Sequence, residues 1–120
     1  MSTRVLVADD SSTMRKIILR SLSAVGVPSA VEAADGQEAV DKFNPGDFDL
    51  VLTDWNMPNK NGLEVIAEIR AKDANVPIIM VTTEAEKSRV LEAIQAGVSD
   101  YLVKPFTADM LREKLEKHGC

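Results

Sequence analysis

The chain has little of the chemistry that secreted proteins, membrane proteins and histidine-based metal sites need. Cys120 is its only cysteine, so no disulfide can form within the chain, as expected in a reducing cytoplasm. The longest apolar run, around residues 76–81, is too short to cross a bilayer, and the first ten residues do not form a signal peptide. His118 is the only histidine, which argues against a phosphohistidine carrier or a histidine-based metal site. We therefore expect a cytoplasmic protein without a membrane partner.

Positive charge is also scarce. Lys and Arg together number 14 against 19 acidic residues, giving a net charge of −5. Because nucleic-acid binding normally needs a basic face, this balance argues against a nucleic-acid partner. The remaining composition, 45% hydrophobic and 28% charged, is ordinary for a globular protein, and 120 residues can bury a core of their own. We predict one domain over residues 1–120, present as a monomer.

What the chain does contain is a regular alternation of short apolar runs and helical patterns. Strands are predicted at residues 4–8, 29–33, 49–53, 78–81 and 101–103, and a helix follows each of them. This alternation predicts an α/β three-layer sandwich, in which a parallel five-stranded sheet carries helices on both faces. Right-handed crossovers leave few topologies. The order 2-1-3-4-5 is the flavodoxin-like solution for a chain of this size, and we adopt it from that fold.

Local signals predict where two of the helices begin. Asp35, with Glu38 three residues later, is typical of a capping box for the second helix. Thr83 with Glu86 gives the same signal for the fourth helix. The spacing of apolar residues places Ile94 on the apolar side of that fourth helix.

Acidic residues follow the first and third predicted strands. Asp9 and Asp10 end the first strand and Asp54 ends the third, and the adopted order makes these strands neighbours. Carboxylates at one edge repel one another, since two unit charges roughly 4 Å apart cost about 4 kcal/mol at an effective dielectric constant of about 20. An all-oxygen, negative cluster suits a hard divalent cation, Mg²⁺ above all. The alternative, that Asp9 or Asp10 only caps the first helix, leaves the third acid unexplained.

The fourth and fifth strands bring two further groups to the same edge. Thr82 ends the fourth strand with a hydroxyl, and Lys104 ends the fifth, roughly 10 Å from Asp54. A long cationic side chain can cross that gap. Thr at a strand end is usually a turn residue and an exposed lysine is usually just solvated, but the set forms a toolkit for phosphoryl transfer to a carboxylate. We predict Asp54 as the nucleophile, with Mg²⁺, Lys104 and Thr82 compensating the charge of the phosphoryl oxygens.

Four segments carry a resemblance to a known family. They are DDSSTMR at 9–15, DWNMPNKNG at 54–62, MVTTEAE at 80–86 and GVSDYLVKPF at 97–106. With these motifs the chain resembles response-regulator receiver domains over nearly its whole length, and among them most the chemotaxis regulators. The resemblance implies transfer of a phosphoryl group from a sensor histidine kinase of the CheA type to Asp54, with Mg²⁺ required. It also implies that Asp10 and Asp54 bind the metal directly, Asp9 through water, and Asn56 through its main-chain carbonyl.

The resemblance extends to the output. It implies a cis peptide bond between Lys104 and Pro105, which would orient the lysine. Thr82 and Tyr101 would form a switch: on phosphorylation Thr82 moves toward the phosphoryl group, Tyr101 turns inward, and the face of the fourth helix, fifth strand and fifth helix repacks. That face would bind an output protein such as the flagellar motor switch, and a phosphatase would end the signal. Such a protein is not an enzyme for a separate substrate, since it catalyses only its own phosphorylation and dephosphorylation.

Other interpretations share parts of the pattern. A phosphorelay receiver that passes phosphate to a histidine phosphotransfer protein, or a receiver from a longer regulator, would have the same chemistry. A Mg²⁺-dependent phosphohydrolase of the haloacid dehalogenase type also forms an aspartyl phosphate, but it places its nucleophile in D-x-D on the first strand and carries a cap domain. A flavodoxin needs a phosphate-cradling loop after the first strand, where the paired acids would repel phosphate.

Overall fold

Strands and helices alternate along the whole of the described chain. The computed structural model describes residues 3–120, so the first two residues of the predicted domain lie outside it. The elements are β1 (Val5–Ala8), α1 (Ser12–Ala24), β2 (Val31–Ala33), α2 (Gly36–Lys42), β3 (Leu50–Thr53), α3 (Gly62–Lys72), β4 (Ile78–Thr82), α4 (Lys87–Ala96), β5 (Asp100–Val103) and α5 (Ala108–Lys117). Within residues 3–120 no helix is both long enough and apolar enough to span a membrane.

The five strands form one parallel sheet in the order β2-β1-β3-β4-β5, which confirms the predicted topology. Ala8, the last residue of β1, pairs with Thr53, the last residue of β3, so the acids that follow both strands lie side by side. At the other side of β4, Thr82 pairs with Val103 of β5. The carboxyl ends of β1, β3, β4 and β5 therefore meet at one edge of the sheet, where open α/β folds bind their ligands.

The central strands β1, β3 and β4 are buried on both faces, which explains why they are apolar runs, whereas the edge strands β2 and β5 are partly exposed. Successive side chains of a strand point to opposite faces, so β1 divides its residues between two cores. Leu6 faces the core covered by α2, α3 and α4, whereas Val7 faces the core covered by α1 and α5. Helices on both faces give the three-layer α/β sandwich that the alternation predicts.

The helix starts differ in part from the local signals. Asp35 caps α2 by accepting the Glu38 backbone N–H, but the Glu38 carboxylate bonds Lys42 one turn later instead of completing a capping box. The complete capping box lies at α3, between Asn61 and Glu64. A glutamate in the first turn can bond either the backbone N–H of the N-cap residue or a lysine four residues later, and in α2 Glu38 bonds the lysine.

The prediction for the start of α4 is wrong. The helix begins at Lys87, its N-cap is Glu86 without a side-chain cap, and Thr83 lies outside it. The residues before Glu86 are held elsewhere, since the Glu84 N–H bonds the Thr82 hydroxyl oxygen and the Glu84 carbonyl accepts the Tyr101 hydroxyl. The apolar side is also narrower than predicted, because Ile94 is 55% exposed. Tertiary contacts of the β4–α4 segment thus override the local cap signal.

The C-terminal helix is tied to the sheet by one acid. The Asp100 carboxylate at the start of β5 accepts hydrogen bonds from Lys114 at 2.8 Å and contacts His118 Nε2 at 2.9 Å, with Lys117 3.5 Å away. Burial acts to raise the pKa of Asp100, but the bonds to Lys114 and His118 outweigh it, so the pKa lies well below its ordinary value. This acid therefore stabilises the docking of α5.

We expect Asp100→Asn to lower the free energy of unfolding by about 1–3 kcal/mol at neutral pH. A depressed native pKa contributes stability above the ordinary aspartate pKa of about 4, and that contribution is lost as the pH falls toward the native value. The difference between wild type and variant should therefore shrink below about pH 4. Urea unfolding at several pH values measures it. A gap that stays constant down to pH 3 would mean that the ion pairs contribute nothing to the difference.

Candidate functional site

Three carboxylates converge where β1 and β3 end. Asp9, Asp10 and Asp54 each offer an oxygen, and these oxygens lie within 4.8 Å of one another. Asp9 is buried, Asp10 is exposed at the mouth of the site, and the Asp54 side chain is 13% exposed. The Asp54 backbone is held by β1, since its N–H donates to the Ala8 carbonyl at 2.9 Å. The register of the sheet alone brings these acids together.

None of these acids caps the first helix, so that alternative is wrong. Ser11 is the N-cap of α1, and its hydroxyl oxygen accepts the Met14 N–H at 3.1 Å. The Asp9 carboxylate instead accepts the Ser11 N–H at 2.9 Å, which fixes the turn between β1 and α1. Because Ser11 caps the helix, Asp9, Asp10 and Asp54 all remain in the acidic cluster.

Lys104 crosses the sheet and joins two of the acids. Its Nζ lies 2.8 Å from Asp9 Oδ2 and 2.9 Å from Asp54 Oδ2. Burial alone would lower the pKa of Lys104, but the hydrogen bonds to Asp9 and Asp54 outweigh it and raise the pKa above its ordinary value. The side chain is therefore an ammonium at neutral pH. The Lys104–Pro105 peptide bond is cis.

The donor set fits a hard divalent cation. Three carboxylates and one ammonium leave two uncompensated negative charges, which matches the charge of such an ion. The Asp10 carboxylate and the main-chain carbonyl of Asn56 accept no hydrogen bond from any residue within 3–120. All the atoms available to bind a metal ion are oxygens, the ligand atoms that Mg²⁺ prefers. These groups are thus free to bind an ion at the mouth of the site.

Thr82 and Tyr101 meet at a single residue, Glu84. Thr82 is fully buried at the end of β4, and its hydroxyl oxygen accepts the Glu84 N–H at 3.4 Å. The Tyr101 hydroxyl donates to the Glu84 carbonyl, and its ring packs against the core under α2, α3 and α4. Burial, followed by the charges of Glu84 and Asp54, raises the pKa of Tyr101, so the hydroxyl stays a donor. The Glu84 carboxylate also accepts the Asn56 side-chain amide at 3.1 Å, which links the β3–α3 and β4–α4 loops.

Sequence patterns missed Arg15. Its Nη1 donates to the Asp9 carbonyl at 2.6 Å, its Nε pairs with Glu32 of β2 at 3.0 Å, and its side chain is 15% exposed. The guanidinium therefore fixes the turn that carries Asp9 and adds positive charge beside the acids. The sequence gives no signal for this role of Arg15, because Glu32, which holds the guanidinium beside Asp9, becomes its neighbour only in the folded sheet.

Comparison with known proteins identifies the family of this chain. The family model described as the response regulator receiver domain matches residues 5–116. The chain belongs to the response-regulator receiver family. The chemotaxis protein CheY of Pseudomonas aeruginosa is 45% identical over 116 residues, which cover 95% of this chain and 94% of that protein. The chemotaxis protein CheY homolog of Campylobacter jejuni is 50% identical over 94% of this chain and 89% of its own length.

Solved structures of receivers share the fold. The structure of the chemotaxis protein CheY4 of Vibrio cholerae aligns with a TM-score of 0.88 at 33% identity and covers 98% of both chains. This receiver is therefore of the CheY type, as the four sequence motifs predict. Receivers of this type are signalling proteins, and the acidic cluster lies where the family's acidic pocket is expected.

Proposed function

We propose that this receiver is a phosphorylation-activated response regulator of a chemotaxis system and that it accepts a phosphoryl group on Asp54. The observation that carries the proposal is the position of Lys104 Nζ between Asp9 and Asp54, beside an exposed acid and a free carbonyl. A carboxylate nucleophile flanked by a fixed cation and by metal ligands has the parts that phosphoryl transfer needs.

In the proposed reaction an Asp54 oxygen attacks the phosphorus of a phosphohistidine on a sensor kinase. The new O–P bond forms as the P–N bond breaks, and the electron pair of that bond stays on the imidazole nitrogen. Lys104 is already held by Asp9, so it can turn from the Asp54 carboxylate to a phosphoryl oxygen without losing its second partner. The Thr82 hydroxyl becomes a further donor once it turns away from the Glu84 N–H.

The residues that would hold Mg²⁺ are Asp10 and Asp54 directly, Asp9 through water, and Asn56 through its carbonyl. When bound, the ion would neutralise charge on the phosphoryl oxygens. Asp9 suits the indirect role, because its side chain is only 1% exposed and lies deeper in the site than Asp54 or the exposed Asp10.

Glu84 suits the proposed signal path, because the two switch residues bond opposite ends of its backbone. Movement of Thr82 toward a phosphoryl group would free the Glu84 N–H, while Tyr101 holds the Glu84 carbonyl. The change would reach α4, which starts three residues later. Phosphorylation would then shift a two-state equilibrium that a partner reads.

The proposed docking face is formed by α4, β5 and α5. It carries four of the exposed large apolar side chains of residues 3–120, namely Leu91, Ile94, Val103 and Met110. The proposed partners are a CheA-type histidine kinase, the flagellar motor switch or another output protein, and a phosphatase. The names of the CheY relatives support chemotaxis over a phosphorelay role. We further propose a single domain over residues 1–120, monomeric and cytoplasmic, without a nucleic-acid partner.

Trp55 gives a direct test of the proposal. Its backbone N–H donates to Asp54 Oδ1 at 2.6 Å, and the Arg89 guanidinium lies 5.2 Å from its ring centroid, so its fluorescence should sense charge at the site. Titration with Mg²⁺ should give a saturable change, and acetyl phosphate should then give a second, reversible change with a mass gain of one phosphoryl group. An unchanged fluorescence and an unchanged intact mass would contradict the proposal.

Lys104→Met should bind Mg²⁺ about three- to tenfold more tightly than wild type, because a cation that competes for the carboxylates has been removed. Without Mg²⁺ the variant should unfold more easily by about 1–3 kcal/mol, since the buried Asp9 carboxylate loses its partner. Stabilisation by Mg²⁺ should therefore be larger than in wild type. Thermal unfolding with and without Mg²⁺ measures both effects.

Lys42→Met is the matched control, because Lys42 pairs with Glu38 on α2 away from the acids. It should leave Mg²⁺ affinity unchanged. Weaker Mg²⁺ binding by Lys104→Met would show that the lysine supports the ion instead of competing with it.

A further inference from the structure

One strained turn lies in the loop between β3 and α3. Asn59 has a φ of 70° and is the only non-glycine with a left-handed φ in residues 3–120. The Lys60 N–H donates to the Pro58 carbonyl at 2.8 Å, which closes a three-residue turn centred on Asn59. Turns of this kind with a positive φ are rare and strained, so they persist only where the surroundings hold them.

Two neighbouring residues at the start of α2, Asp35 and Gly36, contact this turn and hold it in place. The Asp35 carboxylate uses Oδ1 to cap α2 and Oδ2 to accept the Asn59 side-chain amide at 2.9 Å. Gly36 is buried, and a Cβ there would lie 1.9 Å from the Lys60 carbonyl oxygen. The turn thus fits against a surface that only glycine can provide.

The other end of the loop is fixed as well. The Gly62 N–H donates to the Trp55 carbonyl at 2.7 Å, so the loop is closed at its base. Between these two anchors lies Asn56, followed closely by the rigid Pro58. Together with the bond between the Asn56 side-chain amide and Glu84, the turn at Asn59 therefore restricts where the Asn56 carbonyl can lie.

We propose that Asp35, Gly36 and Asn59 are positioning residues that hold the Asn56 carbonyl in place for the divalent cation, an inference that rests on the proposed function. Asp35 and Asn59 are 24 residues apart and neither belongs to the acidic cluster. A merely structural role would affect folding stability and leave ion affinity unchanged. A positioning role must change the affinity for Mg²⁺, since a main-chain ligand that is free to move binds less well.

The test is a Mg²⁺ titration of Trp55 fluorescence, without a phosphoryl donor. Asn59→Gly keeps the left-handed backbone and loses the side-chain bond, whereas Asp35→Ser keeps an N-cap and loses the same bond. Each variant should bind Mg²⁺ about three- to tenfold more weakly than wild type. The double variant should be no weaker than either single one, because all three lack one and the same hydrogen bond.

Two further variants separate positioning from other causes. Asp35→Asn removes the charge but can still bond Asn59 after that amide rotates, so it should bind Mg²⁺ within about twofold of wild type. Weak binding by this variant would assign the effect to the charge of Asp35 and overturn the proposal. Thr107→Ala removes the N-cap of α5, an element that is not part of this loop, and should reduce stability without changing Mg²⁺ affinity.

Wild-type affinity in Asn59→Gly and Asp35→Ser would overturn this inference and leave the proposed function standing. If Asp35→Ser does not fold, Asn59→Gly alone decides. Absence of any Mg²⁺ response in the wild type would instead contradict the proposed function, and this inference with it.

Discussion

Asp54→Asn is expected to abolish phosphorylation, with no mass gain from acetyl phosphate or from a phosphorylated kinase. The amide is not a nucleophile, although its oxygen can still accept the Trp55 N–H that holds the side chain in place. Removing one of three negative charges should also weaken Mg²⁺ binding by about tenfold or more. The fold should survive, since the change is isosteric. Intact mass and Trp55 fluorescence give the two readouts.

Asp47→Asn is the control for this variant, because Asp47 is an exposed acid in the loop before β3 and lies outside the cluster. It should be phosphorylated and should bind Mg²⁺ like wild type. Incorporation at the wild-type level by Asp54→Asn would remove Asp54 from the mechanism. Peptide mapping of the phosphorylated chain would then locate the true acceptor.

Gly62→Ala is expected to lower the free energy of unfolding by about 2–4 kcal/mol and to weaken Mg²⁺ binding. A Cβ at this position would lie 2.4 Å from the Asp54 carbonyl oxygen and 2.9 Å from the Trp55 Cα. Both atoms belong to the backbone, so no side chain can rotate out of the way. Either α3 must move away from the sheet or the acceptor residue must shift. Urea unfolding and Mg²⁺ titration measure the two consequences.

Gly46→Ala separates crowding from loss of glycine as such. Gly46 has a φ of 87°, and a Cβ there would meet no atom within 4 Å. Its replacement should cost only about 1–2 kcal/mol of backbone strain and leave Mg²⁺ binding unchanged. If Gly62→Ala lowers the free energy of unfolding and the Mg²⁺ affinity no more than this control, the backbone around Gly62 can shift more easily than its close contacts indicate.

Local patterns predict the order and type of the elements of this fold, but they do not predict the start of α4 or the capping box of α2 correctly. The apolar runs of β1, β3 and β4 predict these strands because the central strands of a parallel sheet are buried on both faces, whichever strands are their neighbours. The start of α4 was mispredicted because Thr83 has the right chemistry for a cap but lies beside Glu84, whose backbone is held by Thr82 and Tyr101. A cap is worth about 1 kcal/mol, which tertiary contacts readily exceed.

Local sequence patterns predict where the strands end, and therefore which side chains can gather at one edge of the sheet. The placement of Asp9, Asp10 and Asp54 follows from strand length, which local patterns predict, and from the strand order, which we adopted from the flavodoxin-like fold and the structure confirms. The motifs shared with receivers also predict the family, which the match of the family model confirms.

How these groups are held depends on contacts between residues far apart in the chain. Lys104 reaches Asp9 across 95 residues of chain, Asn59 reaches Asp35 across 24, and Arg15 reaches Glu32 across 17. Hydrogen bonds of this kind depend on the direction of the side chains and on differences of a few tenths of an ångström in distance, which the spacing of residues in the sequence does not encode. Periodicity specifies the layers of the fold, whereas the position of each polar atom emerges only when the layers have packed.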